Sequence, residues 1–197
     1  MGMNFPQVIA DAHRLAGCLT ALPEAEAQPA VIIVSGLPGT GKTYFCRQLA
    51  GHLPFVILES DALRKQLFTS PTYAADESAY LFRTTYQLIE DLLKKGIPVI
   101  LDATNLEERH RERLYNIAER LKARLILVNV QAPIELVEKR LKKRADNKNN
   151  QDNSDADWAV YQKMRMTAEK IKRRHFTVDT SRDITPVIDK VVREAKR

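Results

Sequence analysis

Groups that hold metals or staple chains together are scarce in this sequence. Only two cysteines occur in 197 residues, Cys18 and Cys46, far apart and outside any C-x-x-C. That excludes a disulfide framework and a thiolate metal site, and leads us to expect a reducing, cytoplasmic setting. The four histidines, His13, His52, His110 and His175, are scattered without ligand spacing. No apolar stretch approaches the length that spans a bilayer, so no membrane partner is expected. The N-terminus has no basic segment followed by an apolar one, and Pro6 stands where a myristoylation pattern wants Ser or Thr. There are no internal repeats. The one compositionally biased segment is 146–155.

What is present has the balance of an ordinary globular domain, 44% hydrophobic and 28% charged, in a chain long enough for one well-filled core. The formal net charge of +6 favours anionic ligands, nucleotides first and nucleic acid as a further candidate. Apolar residues from Phe5 to Leu19 recur at helical spacing and predict a helix over 5–22, ended by Pro23 and a short linker. From residue 30 the pattern alternates. Strands are expected at 30–35, 55–60, 98–105, 124–130 and around "FTVDTS". Helices are expected from Lys42, from Asp61, and over 76–95 (closed by Gly96), 106–122, 133–145, 155–173 and 184–195. The continuous apolar run "AVIIVS" is of the kind buried on both faces, so the expected class is α/β, a parallel sheet wrapped by helices.

The chemistry begins at Gly36-Leu37-Pro38-Gly39-Thr40-Gly41-Lys42-Thr43, a complete G-x-x-x-x-G-K-[ST] followed by Tyr44. Glycines let successive amides turn inward around a phosphate, and the helix that follows adds its positive end. In such a loop Lys42 reaches the terminal phosphates of ATP and the Thr43 hydroxyl ligates Mg²⁺. Hydrolysis is poorly served. The only approach to a guanine-reading N-K-x-D is "NKNN" at 147–150, which lacks the Asp, and in "VILDATN" Ala103 follows Asp102 where motor ATPases place a water-activating Glu. Transfer to an alcohol needs a carboxylate base and cations. Asp61 lies just past the second strand, with Arg64 three residues on and on the same helical face; N-capping by Ser60 or Asp61 is the alternative use of this segment. Asp102 ends the third strand, as a group to hold Mg²⁺ or orient Arg64, or to close an Asx turn with Thr104 and Asn105. Arg140 and Arg144, four apart on a basic helix, suit a lid over the phosphates, or a solvated face. Trp158, Tyr161, Met164, Ala168 and Ile171 read as packing, and Ser154 and Asp157 as a capping box.

"GLPGTGKT", "ESDALRKQL", "VILDATN", "EKRLKKR" and "SDADWAVYQKM", in this order, resemble the P-loop kinases grouped with the 5′-kinase domain of phage polynucleotide kinase. That group also takes in zeta-toxin-like kinases and small-molecule phosphotransferases. The resemblance runs from about Ala30 to the C-terminus and implies a nucleoside-monophosphate-kinase-like fold, a five-stranded parallel sheet of order 2-3-1-4-5 with a small helical lid at about 136–160. Residues 1–29 stand apart as an N-terminal helix and linker before a kinase domain at 30–197. The resemblance also implies Asp61 as general base, Arg64 on the acceptor or scissile phosphate, a lid arginine at Arg140 or Arg144, and Thr180, Ser181 and Arg182 beside the base of ATP. The expected activity is ATP- and Mg²⁺-dependent phosphoryl transfer to a hydroxyl. A nucleic-acid 5′-hydroxyl is the favoured acceptor and a small sugar, nucleoside or antibiotic the alternative; a nucleotide-switched binding module with slow hydrolysis is a third reading.

Overall fold

The computed structural model describes residues 5–19, 22–146 and 156–197. Strands β1 (Ala30–Ser35), β2 (Val56–Glu59), β3 (Val99–Asp102), β4 (Arg124–Gln131) and β5 (Phe176–Asp179) form one parallel sheet of order β2-β3-β1-β4-β5. Helices are α1 (Phe5–Gly17), α2 (Lys42–Ala50), α3 (Ser60–Leu67), α4 (Ala75–Lys94), α5 (Glu108–Arg120), α6 (Ile134–Asp146), α7 (Trp158–Thr167) and α8 (Thr185–Ala195). The central strand β1 is buried along its whole length. Val31 and Ile33 face one core with α1, α4 and α5; Ala30, Ile32 and Val34 face the other with α2 and α8. Water reaches neither face, which is why this strand reads as a continuous apolar run.

Register fixes the site. Val34 pairs with Asp102, and Asp102 with Glu59, so the ends of β1, β3 and β2 are level. In a parallel sheet all loops leaving those ends open on one edge, where ligands bind. Gly96 takes a left-handed φ of +76° and closes α4 through Ile97 N–H to the Leu92 carbonyl at 2.9 Å, the expected C-cap.

Several expectations at the helices need correction. The N-terminal helix stops at Gly17, and Phe5 is exposed; Val8, Ala12 and Leu15 carry the packing. Glu59 precedes α3 as its cap residue without a side-chain bond, so neither Ser60 nor Asp61 is consumed in capping. Asp157 itself caps α7, accepting from Val160 N–H at 2.8 Å, while Ser154 lies outside the described residues. The helix expected to run to 173 ends at Thr167. Beyond it the backbone is captured. Glu169 N–H donates to the Leu106 carbonyl at 2.9 Å, and the Arg111 guanidinium donates to the carbonyls of Glu169 (3.0 Å) and Lys170 (3.1 Å). Ala168 and Ile171 are therefore not on the helix, although Ile171 still packs against the core.

Candidate active site

The phosphate loop joins β1 to α2. Gly36 has φ +155°, and a Cβ there would stand 2.3 Å from the Val130 carbonyl; at Gly41, φ is +94° and a Cβ would stand 3.1 Å from Thr180. Both positions therefore exclude side chains. Gly36, Leu37 and Thr40 stand behind the loop: Gly36 N–H donates to the Thr104 carbonyl at 3.1 Å, and the Leu37 carbonyl accepts the Thr40 hydroxyl at 2.8 Å. Pro38, Gly39, Gly41, Lys42, Thr43 and Tyr44 face a cavity of about 1210 Å³.

Lys42 Nζ donates to the Leu37 carbonyl at 3.1 Å. Burial draws its pKa down, opposed by the carboxylates of Asp102 and Asp61. The Thr43 hydroxyl donates to Asp102 Oδ2 at 2.6 Å. Asp102 is 3% exposed, and burial raises its pKa, against the pull of Lys42 and Thr43 and with a further push from Asp61. Asp102 thus orients Thr43 and not Arg64. Asn105, the other half of the alternative Asx turn, instead donates its side-chain amide to the Val34 carbonyl at 3.1 Å.

Asp61, in the first turn of α3, lines the same cavity and sits close enough for its charge to act on both Lys42 and Asp102. It has no hydrogen-bond or ion-pair partner among the described residues. Arg64 also lines the cavity, but its guanidinium is committed. It is 7% exposed, ion-paired with Glu77 on α4, bonded to the Ser78 hydroxyl at 3.3 Å and covered by the Tyr73 ring at 4.6 Å.

The two lid arginines differ. Arg140 ties α6 to the loop, donating to the Gly39 carbonyl (3.2 Å) and to the Thr180 hydroxyl (2.9 Å) and carbonyl (3.1 Å). Arg144 donates to the Ala156 carbonyl at 2.6 Å, and its charge reaches Lys42. Thr180 is spent on the loop as well, its hydroxyl donating to the Thr40 carbonyl at 2.6 Å. Ser181 folds back on Asp179, while Arg182 is largely exposed and lines the cavity. Tyr161 is packed as expected and Trp158 stacks on it at 5.0 Å, whereas Met164 faces the cavity.

Sequence reasoning missed Tyr73 and Phe82 on the cavity wall, Glu77 paired with Arg64, and the buried Arg111 on α5. The signal for Glu77 was faint: an acidic residue in the first turn of a helix, thirteen positions from Arg64.

A family model described as an AAA domain, AAA_33, matches residues 31–171. The chain belongs to this AAA domain family. Among curated proteins, this AAA-domain chain is similar to L-seryl-tRNA(Sec) kinase of Methanococcus maripaludis, 27% identical over 115 residues that cover 56% of the chain. It spans only 44% of that relative's length. Among solved structures it resembles the APS kinase of Mycobacterium tuberculosis in complex with AMPPNP and APS, with 17% identity, a TM-score of 0.65, and 87% of this chain and 100% of the other covered. A gluconokinase from Sinorhizobium meliloti 1021 gives 20% identity and a TM-score of 0.56 over 86% of this chain and 91% of the other. These likenesses establish a P-loop kinase fold for the AAA-domain chain. Among the described residues no helix is long and apolar enough to cross a membrane.

Proposed function

We propose that residues 30–197 form an ATP-dependent kinase domain, preceded by an N-terminal helix and linker at 1–29, which transfers the γ-phosphoryl group to the hydroxyl of a small molecule. The observation that carries the reading is Asp61: a carboxylate without a partner among the described residues, on the same cavity as the phosphate loop and within electrostatic reach of Lys42. In the reaction the acceptor oxygen bonds to the γ-phosphorus as the bond to the β–γ bridging oxygen breaks. Asp61 takes the acceptor's proton, and ADP leaves. Lys42 and Arg144 hold the terminal phosphates and offset their charge, with α6 and α7 as the lid. Arg140 keeps the loop in shape, and Tyr44 and Arg182 flank the nucleotide.

Thr43 and Asp102 fit Mg²⁺. They offer two hard oxygens at 2.6 Å from each other, one of them a buried carboxylate, and Mg²⁺ takes its remaining ligands from phosphate and water. When bound, the ion neutralises charge on the phosphates.

The basic net charge and the Asp61/Arg64 pair favoured a nucleic-acid 5′-hydroxyl as acceptor. Two things weigh toward a small molecule. Arg64, the cation expected to meet acceptor phosphate, is spent on Glu77, and similar structures include kinases named for APS and gluconate. The test is transfer of label from γ-labelled ATP to a panel of alcohols. Asp61→Asn is expected to bind ATP normally and to lose transfer about 10²–10⁴-fold. ATP turnover that no alcohol accelerates would refute phosphotransfer.

A further inference from the structure

The acceptor side of the cavity has its own charge logic. Glu77 is a four-way acceptor: Thr72 N–H at 2.6 Å, the Thr72 hydroxyl at 2.8 Å, Tyr73 N–H at 3.2 Å, and Arg64. Burial alone would push this carboxyl up, but the Thr72, Arg64 and Tyr73 donors outweigh it and hold its pKa at about 2, so it stays ionised. The same carboxylate holds Tyr73 in the left-handed region at φ +58°, a conformation that costs a non-glycine residue roughly 1–2 kcal/mol. Tyr73 in turn lays its ring over the Arg64 guanidinium. One anion therefore both neutralises Arg64 and roofs it.

Little of Arg64 is left to receive an anion. One terminal nitrogen is on Glu77, the other on Ser78, and Nε is sealed from solvent. A buried pair of opposite charges presents almost no net field to a ligand. Around it the cavity wall supplies the rings and chains of Leu81 and Phe82 on α4 and Met164 on α7. Glu59 and Asp61, at the end of β2 and the start of α3, add negative charge to the lining. Most cations cluster elsewhere, on the phosphate loop, on α6 and after β5; Arg47 on α2 and Lys163 on α7 also line the cavity but are exposed, where solvent and salt screen them.

We propose that the Arg64–Glu77–Tyr73 cluster, with Leu81 and Phe82, selects an uncharged or cationic alcohol with an apolar face and rejects anionic acceptors. The inference rests on the phosphotransfer reading above and names the acceptor class for the same site. An anion brought beside Asp61 and Glu59 would meet like charge, with Arg64 already paired, Arg47 screened by solvent and Lys42 turned to the phosphate loop, so discrimination comes from what the site withholds as much as from what it offers.

The test uses the full chain with Mg²⁺ and γ-labelled ATP and acceptor sets matched in skeleton: glucose, glucosamine and gluconate; glycerol, serinol and glycerate; a nucleoside and a 5′-hydroxyl oligonucleotide. The expected result is label on a neutral or cationic member, with kcat/KM at least tenfold above its anionic counterpart. Label confined to anionic members overturns the inference and leaves phosphotransfer standing. Label on no member, with AMPPNP binding intact, removes phosphotransfer itself and the inference with it. Glu77→Gln leaves the Arg64 charge uncompensated and is expected to raise the anionic-to-neutral kcat/KM ratio at least tenfold. An unchanged ratio in a folded variant overturns the inference, and the wild-type panel decides if the variant fails to fold.

Discussion

At the scale of single residues, the site is built from groups whose neighbours set their ionisation. Lys42 is the one side chain on the loop that can follow phosphate charge, and Lys42→Ala is expected to weaken ATP binding and to lower kcat/KM roughly 10²–10³-fold, as losing a preorganised donor does; equilibrium binding of AMPPNP alongside turnover checks both. Glu77 gives a pH signature. Its folded pKa of about 2 lies below the usual 4.5, so its contribution to stability is complete above 4.5 and is lost as pH falls from there toward 2. Acid unfolding followed by circular dichroism should show that limb, and Glu77→Gln should flatten it. The phosphate loop and the placement of Asp61 on its cavity were legible because their signals are local: a glycine pattern, and a carboxylate just past a strand end, three positions before an arginine. Glu77 was not, because neutralising Arg64 depends on how α4 lies against α3, and no spacing in the sequence encodes that.

At the scale of elements, strand content was readable, since burial on both faces leaves continuous apolar runs, whereas the strand order was implied by the family resemblance and not by the runs themselves. Helix ends were less so. The α7 pattern continues through Ala168 and Ile171, yet the helix stops because the backbone of 169–170 is claimed by Arg111. That guanidinium is 1% exposed and holds Glu108, the Asn105 carbonyl at 2.6 Å, and the carbonyls of Glu169 and Lys170. In "ERHRER" nothing distinguishes Arg111 from its exposed neighbours by composition. Arg111→Met would leave Glu108 buried without its cation and three carbonyls without donors. We expect a loss of about 3–5 kcal/mol in chemical denaturation, whereas Arg109→Met, at a solvent-exposed position, should change stability by no more than about 0.5 kcal/mol. Helix α1 shows the opposite case: its apolar spacing was clear, but its anchors on α4 and α3, Asp11 to the Tyr80 hydroxyl at 2.6 Å and Arg14 to the Gln66 carbonyl at 3.1 Å, were not.

At the scale of the whole molecule, the charge of +6 is unevenly used. Under the proposed function the nucleotide side gathers Lys42, Arg144 and Arg182, while on the acceptor side Arg64 is paired with Glu77 and Glu59 and Asp61 add negative charge. Ionic strength should separate the two: raising salt from 50 to 300 mM is expected to increase the KM for ATP several-fold and to leave the KM for a neutral acceptor within about twofold. Steady-state kinetics with each substrate varied at saturation of the other measures this. Net charge is a weak guide to any acceptor, because a sum over the chain carries no position.

The hold of Arg111 on residues 169–170 also sets a mechanical constraint. Helix α7 is held past its C-terminal end by Arg111 and before its start by Arg144 of α6 on the Ala156 carbonyl, so a movement of α6 as the proposed lid would carry the start of α7 with it while its end stays anchored. The displacement is then greatest near Trp158 and vanishes toward Thr167, so a spectroscopic label at the start of α7 should report closure while one at its end stays still.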